Sequence, residues 1–255
     1  MQIFLSGSEA SPDKRAALKE LISNGTKLHW NLMSFYYLRS DIQYAEQIRD
    51  LSDGIMIDSG AHSFQKGKKV KWEEYTHSYA QFIKEFDRDN VIGYFEMDVD
   101  NIIGYENVLK LRRILETESG AGCSKIIPVW HKNRGIENFK QMCRDYAGRT
   151  VAITGFKNDE IKDSQYAMFL KYAKKHGCKV HCLGMTRRAV LDKVPFDYVD
   201  SSSWAQSAIY GRVGDKKVSQ EFSRTNRNAV FMESYRQAIK MQEYYYHKWK
   251  KVCGD

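Results

Sequence analysis

Short β-rich apolar runs alternate with stretches of helical period from one end of the 255-residue chain to the other. Runs at residues 2–5, 28–33, 55–58, 91–98, 126–130, 151–154, 179–183 and 198–200 each read as a strand. The first helix is expected to open at Ser11-Pro12, an N-cap with proline at the first helical position, and to close at Gly25. Further helices are expected over 36–51, 72–86, 105–118, 136–146, 163–176, 187–191 and 228–250. Strands that alternate strictly with helices demand a parallel sheet, because parallel neighbours need a crossover and here each crossover is helical. Eight such units favour closure into an α/β (β/α)8 TIM barrel over an open, doubly wound sheet. No Gly-x-Gly-x-x-Gly follows the first strand, which removes the usual reason to expect a dinucleotide-binding sheet.

Hydrophobic residues make up 42% of the chain, enough for one sizeable core, and the length suits a single barrel domain over 1–255. Three prolines, no Ser/Gly-rich linker and no internal repeat leave no boundary for a second domain. No apolar stretch approaches the roughly 20 residues of a membrane span, and a strand opens where a secretory leader would be charged and then greasy. A soluble, cytoplasmic protein with no membrane partner is the expectation.

The five cysteines, Cys123, Cys143, Cys178, Cys182 and Cys253, are odd in number and scattered, the pattern of reduced thiols and not of a disulfide scaffold. Cys178-x3-Cys182 beside His176 and His181 hints at zinc. Strand alternation, however, sends the two cysteines to one face and His181 to the other, so no metal is expected there. Lysine and arginine exceed aspartate and glutamate by 40 to 32, a formal charge of +8. That balance favours a polyanionic partner such as nucleic acid, and it equally suits a solvated basic surface.

Two strands end in aspartate followed by small residues, Ile55-Met56-Ile57-Asp58-Ser59-Gly60-Ala61 and Tyr198-Val199-Asp200-Ser201-Ser202-Ser203; a third run, Tyr94-Phe95-Glu96-Met97-Asp98, also ends in acid. In a parallel barrel the C-terminal strand ends form the mouth where chemistry takes place. Asp58, Asp98, Trp130-His131, Thr154-Gly155, Leu183-Gly184-Met185 and Asp200 would ring that opening. Converging carboxylates repel one another, so at least one should titrate high. Two carboxylates with divided roles, one attacking an anomeric carbon and one handling the leaving group's proton, are the equipment of glycosyl transfer or hydrolysis. A third could accept the N–H donors of a base edge. The competing structural reading is that Asp before Ser or Gly merely ends a strand as a turn or helix cap.

At Asp58-Ser59-Gly60-Ala61 the chain resembles the Asp-Ser-Gly-Gly motif of the tRNA-guanine transglycosylase superfamily, (β/α)8 barrels that exchange guanine for a 7-deazaguanine. The likeness extends to Phe95-Glu96-Met97-Asp98 at that family's base-recognising acid, to Thr154-Gly155 and Leu183-Gly184-Met185 at its glycine-bearing strand ends, and to Val199-Asp200 at its nucleophile. The motifs keep the family's order from about Ile55 to Trp204. The resemblance implies that Asp200 attacks C1′ of a guanosine or deoxyguanosine and holds the sugar covalently while guanine leaves. It implies Asp58 as general acid/base, Asp98 as acceptor for the purine's amide and amino edge, and Gly155 as a source of backbone contacts. Ser59, Gly60, Gly184 and Met185 would surround the base, and no cofactor is implied.

The chain departs from the tRNA enzymes in three places. It lacks their Cys-x-Cys-x-x-Cys and distant histidine, so no zinc subdomain is expected. His62 stands where an aromatic residue stacks on the base, leaving the imidazole or Phe64 to do so. At the fifth strand end, where a glutamine is expected, the chain has Trp130 and His131. A compact form without zinc is more similar to the phage and bacterial enzymes that place 7-deazaguanines in DNA. DNA and a base such as 7-cyano-7-deazaguanine are therefore the expected partners, with tRNA the alternative acceptor.

Candidate phosphate contacts are Lys66, Lys68 and Lys69 just beyond Asp58, and Arg212, Lys216 and Lys217 in a long irregular stretch over 201–225. Tyr244-Tyr245-Tyr246-His247-Lys248-Trp249-Lys250-Lys251 interleaves aromatics with bases, which suits either nucleic acid or packing of the last helix with lysines snorkelling to water. A non-catalytic nucleic-acid-binding subunit is the rival from another class, although it would need none of the three acids. Homodimerisation and a partner subunit stay open.

Overall fold

The computed structural model describes residues 1–64, 70–154, 161–213, 216–219, 221 and 225–254, with backbone alone at 122 and 123. All the expected strands form: β1 (Gln2–Ser6), β2 (Leu28–Ser34), β3 (Ser52–Asp58), β4 (Val91–Phe95), β5 (Ile126–Ile127), β6 (Val129–Trp130), β7 (Thr150–Thr154), β8 (Lys179–Leu183) and β9 (Tyr198–Ser201). They pair in parallel in the order β5-β4-β3-β2-β1-β9-β8-β7-β6, so the two outermost segments are β5 and β6. These are halves of one expected strand, split at Pro128, which has no N–H to give a ladder. β5 pairs with β4 through Tyr94↔Ile126 and Phe95↔Ile127, and β6 pairs with β7 through Val129↔Ala152 and Trp130↔Ile153. The run 126–130 therefore bonds both neighbours and brings the sheet round into a TIM-barrel-like ring.

Glu96 braces that seam. The Val129 N–H, just past the proline, donates to Glu96 Oε1 at 2.6 Å, and Arg112 Nε donates to Oε2 at 2.5 Å. Both side chains are buried, and a buried charge of this kind persists only when paired. Glu96 is thus part of the frame, which leaves Asp98 as the acid of its run that is free to face the mouth.

The period of two divides the strands between two cores. Phe4, Trp30, Leu32, Met56, Phe95, Ile127, Val129, Ala152 and Tyr198 fill the barrel interior. Ile3, Leu5, Ile55, Ile57, Val151, Ile153, Val180 and Cys182 face outward under the helices in a second cluster. Each such apolar side chain contributes about 1.5–3 kcal/mol by leaving water. Helices Pro12–Ser23, Trp72–Phe86, Tyr105–Glu118, Gly135–Asp145 and Tyr166–Lys175 lie close to the ranges expected for them.

Three stretches differ from expectation. The helix expected over 36–51 is two, Phe35–Leu38 and Ile42–Leu51, because the Asp41 side chain accepts the Tyr44 N–H at 3.2 Å and starts the second afresh. Asp41 is also tied to Arg15 at 2.6 Å. The fourth strand ends at Phe95, not at Asp98. The stretch expected to be irregular after β9 contains a helix, Ser203–Ile209, and a small antiparallel hairpin of β10 (Arg212–Val213) and β11 (Lys216–Lys217).

The last helix, Arg227–Cys253, packs against the first helix and β1. β1 and β2 are paired only at Leu5↔Asn31 and Ser6↔Leu32. Before that register, Gln242 Nε2 reaches in and donates to Ile3 O and to Trp30 O, each at 2.7 Å. The helix's C-terminal end is fastened down as well. Tyr245 Oη and Lys248 Nζ both donate to Asp192, and Trp249 Nε1 donates to Leu191 O. The packing reading of this aromatic and basic segment therefore holds for Tyr245, Lys248 and Trp249. Among the described residues, no helix is long and apolar enough to cross a membrane.

Candidate active site

Asp58 stands two residues beyond Met56 and Asp200 two beyond Tyr198, and both of those side chains lie inside the barrel. Strand alternation therefore brings the two carboxylates up the interior to the C-terminal mouth. Asp98 joins them from the turn after β4, in which Val99 N–H donates to Met97 O at 2.9 Å. The three are close enough for Asp98 and Asp200 each to push the Asp58 carboxyl upward.

Among the described residues Asp58 is held by one donor, the Gly60 N–H at 2.8 Å from Oδ2. Gly60 takes a left-handed φ of 75°. A Cβ there would lie 2.4 Å from Tyr36 Cβ and 2.5 Å from Ser34 Oγ, so both conformation and space require glycine. The residue between, Ser59, is buried, and its carbonyl accepts the Tyr75 hydroxyl at 2.7 Å. Burial raises the Asp58 carboxyl to about 6, more than the Gly60 hydrogen bond lowers it. A carboxyl in that range can give and take a proton near neutral pH.

Asp98 is in the opposite state. Its Oδ1 receives His131 Nε2 at 2.5 Å and its Oδ2 receives His62 Nε2 at 3.1 Å. Burial would raise this carboxyl, but the two imidazole hydrogen bonds outweigh it and hold Asp98 well below the usual carboxylate range. In return, the hydrogen bond to Asp98 raises His62, and the same contact raises His131 against its burial. The His131 side chain is 15% exposed, whereas that of His62 is 74% exposed.

Among the described residues Asp200 is anchored through a single oxygen. Oδ1 accepts the Gly184 N–H at 2.8 Å and His181 Nε2 at 3.0 Å. Gly184 turns the chain there with φ 61°. His181 is fully buried, with the rings of Phe4, Phe95 and Tyr198 around it. The sequence pointed to His181 only as a possible metal ligand. In the structure β8 pairs His181↔Tyr198 and Cys182↔Val199, which sets 181 on the face that carries Asp200.

Other expected site residues lie elsewhere. Trp130 is buried, donates from Nε1 to Gly135 O at 3.0 Å and packs on Phe139 and Phe169 under the helices, so His131 is the one of that pair at the mouth. Met185 is buried in the outer core. Phe64 sits edge-on among Tyr36, Trp72 and Tyr75, with the Arg39 guanidinium above its ring. Gly155, Lys66, Lys68 and Lys69 fall outside the described residues. Arg212, Lys216 and Lys217 are exposed on the hairpin. Lys216 lines a groove of about 940 Å³ together with Arg188, Ser203, Trp204, Arg236 and Gln237.

One acid gave no sequence signal. Glu9, in the loop after β1, is 3% exposed, and its Oε1 accepts the Ser34 N–H at 2.9 Å. Burial raises Glu9 to about 7 and Asp58 adds to the rise, so the two carboxyls share one field. Of possible metal ligands, Asp98, Asp100 and His131 bring one atom each within 4.8 Å of one another. Asp98 and His131 are hydrogen-bonded to each other, and Asp100 faces Arg134, whose Nε lies 3.5 Å from its Oδ2, while both Asp100 oxygens are buried without a hydrogen bond among the described residues. Cys178 and Cys182 lie in the outer core and His181 inside the barrel, so they do not converge.

A scan against protein-family models finds no match to the chain, and a search of curated proteins finds no relative.

Proposed function

We propose that this chain is a guanine transglycosylase acting on DNA, exchanging guanine for a 7-deazaguanine such as 7-cyano-7-deazaguanine. The observation that carries the reading is the division of labour among three carboxylates at one barrel mouth. Asp98 is kept anionic by two imidazoles, Asp58 is raised to about 6 by burial, and Asp200 is clamped through one oxygen. Base exchange by double displacement needs an anion to read N–H donors, an acid/base and a nucleophile.

In the first half, Oδ2 of Asp200 attacks C1′, the glycosidic bond breaks, and guanine departs with a proton from Asp58. In the second half, Asp58 takes the proton from the incoming deazaguanine, whose nitrogen attacks C1′ and releases Asp200. Asp98 accepts the purine's amide and amino N–H groups. For that to happen a donor now on Asp98 must yield, and His62, on the exposed lip of the mouth, is the one placed to swing aside. Its present contact with Oδ2 mimics the N–H of a base. The formal charge of +8 and the groove bearing Arg188, Lys216 and Arg236 suit a phosphate backbone beside the mouth.

The test is incubation with double-stranded DNA, single-stranded DNA or unmodified tRNA plus 7-cyano-7-deazaguanine, followed by nucleoside mass spectrometry. The expected result is a deazaguanine nucleoside in DNA. Incorporation into tRNA alone would reassign the acceptor, and incorporation into none would overturn the reading.

A further inference from the structure

We propose that His181 is the positioning residue of the nucleophile, fixing which oxygen of Asp200 attacks the sugar. The inference rests on the transglycosylase reading of the mouth and goes beyond it by assigning a role to a side chain inside the barrel that touches no substrate. An ionised carboxylate only accepts hydrogen bonds, so His181 carries its proton on Nε2 and donates it to Oδ1 at 3.0 Å. The Gly184 N–H reaches the same oxygen at 2.8 Å. Among the described residues, both hydrogen bonds to Asp200 go to Oδ1, which leaves Oδ2 with its lone pairs for C1′.

The imidazole has little freedom to do anything else. It is fully buried, with the Phe95 ring edge-on at 4.9 Å and the Phe4 and Tyr198 rings at 6.2 and 6.5 Å. Its Nδ1 has no hydrogen-bond partner among the described residues. A packing side chain at this site would be apolar, like Phe4 and Phe95 beside it. A histidine that leaves one nitrogen unsatisfied is costly there, and what it supplies in exchange is a rigid donor aimed at the nucleophile. As Asp200 Oδ2 bonds to C1′, the guanine–C1′ bond breaks and the carboxylate's charge is lost into the ester; in the second half the ester bond breaks and the charge returns. A donor fixed on Oδ1 holds the carboxylate rotation constant through both halves, so the reacting oxygen stays in line.

The experiment compares His181→Phe, which keeps the ring packing but removes the donor, with His181→Gln, which keeps a donor, in labelled-guanine exchange on double-stranded DNA. His181→Phe is expected to lose roughly 30- to 100-fold in kcat with KM for DNA changed less than about two-fold, and His181→Gln to recover most of that loss. His181→Leu carries the same comparison if the phenylalanine variant does not fold. Wild-type kcat in a folded donor-free variant would overturn the proposal, as would equal losses in the donor-free and glutamine variants.

A wild-type protein without exchange on any acceptor would sink the substrate reading alone. The role of His181 would then be read from the titration of a 13C-labelled Asp200 carboxyl. An upward move in the donor-free variant, reversed in His181→Gln, supports the positioning role, and an unmoved titration overturns it.

Discussion

Replacing Asp58 with asparagine should stabilise the protein at neutral pH while abolishing the proposed base exchange. The Asp58 carboxyl lies at 3.8 in an ordinary aqueous setting and at about 6 in the fold, chiefly because it is buried. Between those values the folded chain keeps a proton that the unfolded chain has released, so stability falls as pH rises through that window and stays lowered above it. At about 1.36 kcal/mol per pH unit, the ionised form costs the fold about 3 kcal/mol at pH 8. The residue keeps partial exposure, which trims the expected figure to about 2 kcal/mol. Asparagine cannot ionise, and its amide oxygen can still accept the Gly60 N–H. Urea unfolding followed by tryptophan fluorescence should therefore show wild type and Asp58→Asn within about 0.5 kcal/mol of each other at pH 4 and the variant more stable by about 2 kcal/mol at pH 8. A difference that is the same at both pH values would refute the argument, because it would place the effect in packing and not in the buried charge. Stability gained by disabling a residue is a mark of a site selected for chemistry.

Asp200→Asn should abolish base exchange with DNA binding preserved, whereas Asp98→Ala should mainly weaken and relax base choice; filter-binding and exchange assays on the same preparations separate the two. Gly60→Ala should cost more than about 2 kcal/mol, because it combines a strained φ with a clash against Tyr36 and Ser34; chemical denaturation measures it, and a neutral result would mean the loop after β3 is more pliable than its geometry. Gln242→Leu should cost about 1–3 kcal/mol by leaving the Ile3 and Trp30 carbonyls buried without a donor, with a faster amide exchange in β1 and β2 as its signature.

The barrel was legible because its signal is repeated. A short apolar run followed by a helical period occurs in every unit, and each copy supports the others. Asp58 and Asp200 were legible for the same reason, since each closes such a run in step with an inward residue. The roles of the histidines were not. His181 looks like one member of a cysteine and histidine cluster until the β8–β9 register sets it against Tyr198, and His62 looks like a substituted stacking residue until its ring is seen on Asp98. Glu9 was invisible because nothing local marks it, and its raised carboxyl comes entirely from elements that fold over it. Trp130 misled in the reverse sense: one residue's difference in a strand exchanges mouth for core, and Trp130 faces the helices while His131 faces Asp98.

The hydrogen bonds from Gln242 to Ile3 and Trp30 join positions 239 and 212 residues apart in the chain, and β1 lies between β2 and a strand that begins at Tyr198. The first strand of this sheet is thus among the last to be secured. At about 5–20 residues per second of synthesis, β1 and the splayed half of β2 wait on the order of ten seconds or more for β9 and the last helix to be made. During that interval their carbonyls and N–H groups are an open template for pairing with another nascent chain. Chaperone demand and aggregation during expression should therefore respond to changes in the last helix, such as Gln242→Leu, more than to changes in the mouth, even though the mouth holds the proposed site.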